Sequence, residues 1–243
     1  MRLLILGFCL IFFTGTTNAL PKETSQVILG IAQHWDSSHV TLSLLENGPQ
    51  GWKRVKGPFP ARLGKAGLVW GYGLSSPPKG ESSKKEGDMR SPAGIFRLGG
   101  LYGTVPTPDK KKSLPYRRIT TRDIWVSDPE SKLYNKHSIL NHEPKTAWEY
   151  KQQMRLNDYA HSLKLFIKHN AEGVPGCPKP GAGSSIFFHI WRKDGASPTA
   201  GCTAMSEKNL RTLIYWLDPK KHPLYILLPS AEYSKYRKPW GLP

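Results

Sequence analysis

Ser185–Trp191, SIFFHIW, runs directly into Arg192–Met205, RKDGASPTAGCTAM, and how these two stretches are read decides the fold and the chemistry. SIFFHIW has no glycine or proline and carries the strongest strand signal in the chain. Its alternation sets Ile186, Phe188 and Ile190 on one face and Phe187, His189 and Trp191 on the other. The His189 imidazole therefore points away from the aliphatic face, toward a cleft. Beyond Cys202, Leu210, Leu213, Ile214 and Leu217 follow helical spacing, which predicts an amphipathic helix over Ser206–Leu217. Ser206 is its N-cap and Asp218-Pro219 its stop.

Cys202 and His189 are a candidate nucleophile and base. A free thiol with a pKa near ~8.5 is only slightly ionised at neutral pH and needs a neighbouring base or positive field. Gly201 clears space beside the thiol, the coming helix offers its positive end, and main-chain N–H groups near Cys202 and Thr203 suit an oxyanion. Such a set performs acyl transfer. The residues alone leave two alternatives open: a buried structural cysteine with a core histidine, or a bridge from Cys202 to Cys177, which lies in the rigid loop GVPGCPKPG.

Working outward, Gln26–Ala32 and Val40–Leu45 predict an N-terminal hairpin, and Gly51–Val55 a third short strand. The glycines and prolines of residues 57–73 exclude regular helix. Ser75–Asp88 reads as an exposed, mobile loop, and the basic stretches at 79–85 and 110–112 as solvated surface. Ile95–Leu98 predicts a strand, and Asp123–Ser127 follows the second basic loop. Ala147–His161, free of glycine and proline, predicts a helix. Ser162–Lys168 alternates as a strand, His169–Gly183 is loop, and Leu224–Leu228 returns as a final strand. The class is mainly β or α+β with two attached helices.

Composition narrows the function further. The chain has 243 residues, 35 Lys plus Arg against 18 Asp plus Glu, a formal net charge of +17, and three cysteines. Eight Trp, ten Tyr and eight Phe supply apolar area that excludes disorder over the whole length. Residues 1–19 read as a secretory signal peptide: Arg2, the apolar run Leu3–Phe13, then small and polar residues to Ala19. That run is shorter than the roughly 20 residues that span a bilayer, and Cys9 within it lacks a lipoprotein cleavage context. Residues 20–243 are expected to form one exported domain. Its charge suits either a soluble basic surface or an anionic partner, a cell-wall polymer or acidic lipid head groups; the export signal and the lack of a recognisable binding module disfavour nucleic acid. No His, Cys, Asp and Glu spacing suits a metal, and the histidines other than His189 read as structural.

IFFHIW followed by SPTAGCTAM resembles the signature of the YkuD-type L,D-transpeptidases, exported bacterial enzymes of peptidoglycan. The likeness extends through GKAGLVWGYG, EGDMRSPAGIFRLG, SDPESKLYN and PGAGSS, and is strongest over residues 64–229. It implies an L,D-transpeptidase-like β-sandwich with attached helices, located in the periplasm or cell wall and serving wall organisation and cell shape. It further implies that Cys202 is the acyl-accepting nucleophile, His189 its base, and the Ile190 carbonyl the group that orients the imidazole. Thr199 and Gly201 would shape the turn and, with Arg90 and Trp191, make up the substrate-binding set. The substrate would be a peptidoglycan stem peptide, with no metal or organic cofactor. The alternatives are an L,D-carboxypeptidase and a non-catalytic wall-binding module. Many members carry Arg where this chain has Ala204, which makes Arg90 and Arg192 the candidates for contact with a substrate carboxylate. Ile190 likewise replaces a common Gly, and Trp125 and Ser185 stand where a related subgroup often has cysteines. Trp70 and Trp125 read as core, and Trp191 as the exception facing the site.

Overall fold

The computed structural model describes residues 20–106 and 114–243; the expected export signal, Cys9 and the basic stretch 107–112 lie outside the described residues. β1 (Gln26–Ala32) lies between β2 (His39–Gly48), antiparallel to it, and the parallel β12 (Leu224–Pro229). β1 and β2 form the expected hairpin, and β3 (Gly51–Arg62), the expected third strand, continues past the predicted Val55. Pro58 and Pro60 are tolerated there because β3 meets its other neighbour only at Arg62, so no second ladder needs their missing N–H groups. Gly57, at φ +93°, lies so close to β2 that an added Cβ would come within 2.7 Å of the Leu42 carbonyl oxygen.

The hub of the fold is β5 (Ser91–Gly103). Its first residues pair with β4 (Leu68–Trp70), its middle with β12, and its end with β6 (Tyr116–Arg118) and β9 (Leu163–Ile167). β9 pairs with β10 (Phe187–Ile190), and β10 with the parallel β11 (Thr203–Met205), which returns to β3. The expected mainly β fold with attached helices is what the chain adopts. The layers of the expected sandwich are joined into one sheet that closes on itself through the β12–β5 pairing.

The main core fills this closed sheet. Ile28, Leu42, Ile95, Phe96, Leu165, Phe188 and Tyr225 are almost completely buried, and a side chain such as Phe188 stabilises by about 1.5–3 kcal/mol. α2 (Glu207–Trp216) closes one side with Leu210, Leu213 and Ile214, and Ser206 caps it by accepting from the Asn209 N–H. The short α3 (Ser230–Tyr236) brings Tyr236 and then Trp240 against Trp70.

β9 and β10 are covered on both faces. Leu163, Leu165, Ile186 and Phe188 face the main core, while Phe166 and Phe187 join a second cluster with Ile119, Trp125 and Met154. That second layer is the excursion between β6 and β9. It carries the hairpin β7 (Asp123–Trp125) and β8 (His137–Ile139), then α1 (Ala147–Lys151).

The helix expected over 147–161 is corrected to one turn. A Thr146–Glu149 capping box starts α1, but none of its residues is buried, and without an apolar stripe nothing extends it. The chain instead turns Met154 inward, and Asp158 caps a single 3-10 turn over Tyr159–His161. The expected mobile loop 75–88 is docked at its end. The Lys84 N–H donates to the Trp70 carbonyl, and the Lys84 side chain, 3% exposed, pairs with Asp88. Lys84 is thus no part of a solvated surface.

Candidate active site

The strand parity read from SIFFHIW places His189 on the outer face of β10, beneath the excursion. Four strands align at this level: His189 on β10 is directly flanked by Ala204 on β11 and Lys164 on β9, and Tyr102 on β5 lies beyond Lys164. Cys202 is two residues before Ala204, which puts its Cα roughly 8 Å from that of His189 by strand spacing and rise. Its side chain packs against the second cluster, and the Phe187 N–H points at Sγ from 3.4 Å. Sγ in turn lies 3.5 Å from the Ser185 carbonyl oxygen.

The His189 ring is 3% exposed, and its Nδ1–H donates to the Ile190 carbonyl at 2.7 Å. A carbonyl only accepts, so Nδ1 holds the proton and Nε2 carries the free lone pair. Burial, reinforced by neighbouring His161, Arg192 and Lys164, pulls the His189 pKa down to about 3, and the ring is neutral. Burial also pushes the Cys202 thiol up, against the Phe187 N–H and the charges of Lys164, Lys84 and Arg192, which pull it down. The resting pair is a thiol and a neutral imidazole.

The turn ahead of Cys202 is held from within. Thr199 Oγ1 donates to the Cys202 carbonyl at 2.7 Å and accepts from the Gly201 N–H at 3.0 Å. The main chain of Thr199 is tied on both sides, to Leu63 and to Lys65. Gly201 adopts φ +144°, and a Cβ there would come within 2.8 Å of the Arg90 carbonyl oxygen. The helix expected close after Cys202 is one strand away: β11 intervenes, so the positive end of α2 is about 10 Å farther along the chain and the dipole does not act at the sulfur.

The other expected residues divide. The Arg90 main chain abuts Gly201, but its guanidinium turns away to the Leu68 carbonyl and lines a cavity with Trp35, Trp70 and Glu81. Trp191 is half-buried just past the end of β10, its ring laid over Gly195 in the following turn. Arg192 reaches the site by pairing with Asp158. Cys177 and Cys202 are both free thiols, so the bridge between them is absent. Among the described residues no group of His, Cys, Asp and Glu is placed to hold a metal.

Four residues here escape the sequence reading. His161, counted among structural histidines, stacks on His189 and holds Asp158 through Nδ1 at 2.8 Å. Burial would raise the Asp158 pKa, but hydrogen bonds from Arg192 and His161 outweigh it and hold it at about 2. Lys164 and Lys84 are both buried. For Lys164 a signal existed, since in SLKLFIK the charge falls on the same face as Phe166, opposite the leucines.

A family model described as the L,D-transpeptidase catalytic domain, YkuD, matches residues 37–226. No curated protein matches the chain. Among solved structures the chain is similar to Bd1075 of Bdellovibrio bacteriovorus, at 14% identity and a TM-score of 0.41, covering 88% of this chain and 54% of that one. It is also similar to the helical cell shape determining protein Pgp2 of Campylobacter jejuni, at 13% identity and a TM-score of 0.37, covering 84% and 48%. The chain therefore spans about half the length of these two structures.

Proposed function

The chain belongs to the YkuD family of L,D-transpeptidase catalytic domains, and from that premise we propose that it is a peptidoglycan acyltransferase working through a thioester on Cys202. Membership itself carries a peptidoglycan-modifying role of this type. The observation that supports the finer reading is the placement of Cys202 on the face of His189, whose lone-pair nitrogen is set by the Ile190 carbonyl.

In the proposed reaction the thiol proton passes to His189 Nε2 as Sγ attacks the carbonyl carbon between the L-centre and the D-residue of a stem peptide. The carbon–nitrogen bond breaks, and the imidazolium returns the proton to the departing amine of the D-amino acid. A second amine then attacks the thioester and regenerates the thiol. The Gly201 N–H is committed to Thr199 and the Thr203 N–H to the ladder with β10, so the main-chain amide of Cys202 is the donor this reading assigns to the oxyanion. Thiol, base and main-chain donor complete the chemistry with no cofactor required.

Residues 20–243 act on this reading as one exported domain, with 1–19 as its signal. No helix among the described residues is long and apolar enough to cross a membrane. The test is mass spectrometry of the purified protein after incubation with a carbapenem. An adduct mapped to Cys202 is expected; an unmodified Cys202 under conditions where the protein is folded overturns the thioester.

A further inference from the structure

Lys164 is a charged side chain buried in the middle of a sheet, and the acyl-transfer steps leave it without a part. Only 3% of it is exposed. It sits directly opposite His189 in the β9–β10 ladder. Its Nζ donates to the Met154 carbonyl at 2.7 Å and lies 5.5 Å from the centre of the Phe187 ring. Met154 and Phe187 belong to the cluster on which Cys202 packs, and the Phe187 N–H is the donor aimed at Sγ. The ammonium and the sulfur thus border the same few side chains. Burying an ammonium costs several kcal/mol unless something compensates, and one carbonyl is a thin return for a purely structural group.

We propose that Lys164 is a positioning residue of the site, a fixed positive charge that favours the thiolate of Cys202 and holds His189 in its free-base form. The inference rests on Cys202 being the nucleophile. At neutral pH Lys164 is charged: burial draws its pKa down to about 8, with Cys202 and Asp158 pulling the other way. Of the charged groups acting on Cys202 it leads, ahead of Lys84 and Arg192, and it also opposes protonation of His189 and His161. The remaining neighbour on this face is Tyr102 on β5, which burial and Asp123 keep protonated. The cation therefore favours the thiolate as the proton leaves Sγ and keeps the acceptor unprotonated beforehand, while it disfavours the imidazolium formed on transfer.

The experiment is the pH dependence of Cys202 alkylation by iodoacetamide, followed peptide by peptide by mass spectrometry in the full chain. Cys177 in the same molecule serves as the internal reference. Lys164→Met removes the charge and the donor; Lys164→Gln removes the charge but can still donate to Met154, which guards against a variant that fails to fold; Lys164→Arg keeps the charge. For Met and Gln the alkylation of Cys202 at pH 7, where Lys164 is charged, is expected to slow about tenfold, with Cys177 unmoved. Arg is expected to stay near the parent. Unchanged Cys202 alkylation rates at pH 7 in the Met and Gln variants overturn the proposal, as does an Arg variant slowed as far as the neutral ones. Alkylation needs no turnover, so this result stands apart from whether carbapenem acylates Cys202: a missing adduct would sink the thioester reading while the alkylation profiles still decide the role of Lys164.

Discussion

His161 lies face to face with His189, ring centroids 4.6 Å apart and planes inclined by 23°. The stack shields the proposed base, and because two imidazoliums in contact repel, it also depresses the basicity of His189. Asp158 fixes the outer ring through Nδ1 and is itself held by Arg192. A short turn of the excursion thus controls the solvation of a residue on a sheet strand far from it in sequence.

Opening that stack has a signed consequence. His161→Ala is expected to hydrate His189 and move its titration up from about 3 toward the ordinary histidine value of about 6.5. Histidine NMR signals followed against pH would show it. A His189 resonance that titrates identically in the variant would mean that the stack does not govern the base.

The dyad itself gives the sharpest functional prediction. Cys202→Ala should abolish the carbapenem adduct and all product while leaving binding to isolated peptidoglycan intact. His189→Ala should slow acylation by roughly 10²–10⁴-fold, the usual range for a general base. Both are read by mass spectrometry of product peptides, and full turnover in either variant would remove that residue from the mechanism.

The turn at Thr199 is expected to matter through stability and geometry together. Thr199→Val deletes the bonds to the Cys202 carbonyl and from the Gly201 N–H, leaving buried main-chain groups unpaired, at a cost of about 1–3 kcal/mol. Gly201→Ala should be at least as damaging, since its Cβ would press on the Arg90 carbonyl from a conformation that disfavours alanine. Urea unfolding combined with acylation rates measures both effects; a Thr199→Val protein as stable and as reactive as the parent would contradict the assignment.

Acid stability should depend on Asp123. Its carboxylate is completely buried; burial would raise its pKa, but bonds from Arg117, Thr120 and His137 hold it down at about 2. A depressed carboxylate stabilises the fold above its unfolded value near 3.8, and that contribution disappears as pH falls through about 2. Asp123→Asn should therefore cost about 2 kcal/mol at neutral pH and flatten the loss of stability between pH 4 and 2. Thermal melts across that range give the answer, and a variant with the parent's pH profile would refute it.

Neighbours along the chain settle the local features of this molecule. The two faces of Phe187–Ile190, the stripe and N-cap of α2, and the glycine turn before Cys202 follow from local alternation, periodicity and backbone freedom, and all are present. The contact from His189 to Ile190 spans one residue and belongs to the same class. Tertiary structure alone decided the closure of the sheet through β12 and β5, the shortening of the helix after Ala147, and the burial of Lys84. It also decided that His161 stacks on His189 and that Lys164 faces it. The physical reason is register: which residue of β9 stands opposite His189 depends on strand pairing and on how the excursion packs, and a shift by one residue would have turned Lys164 into the main core.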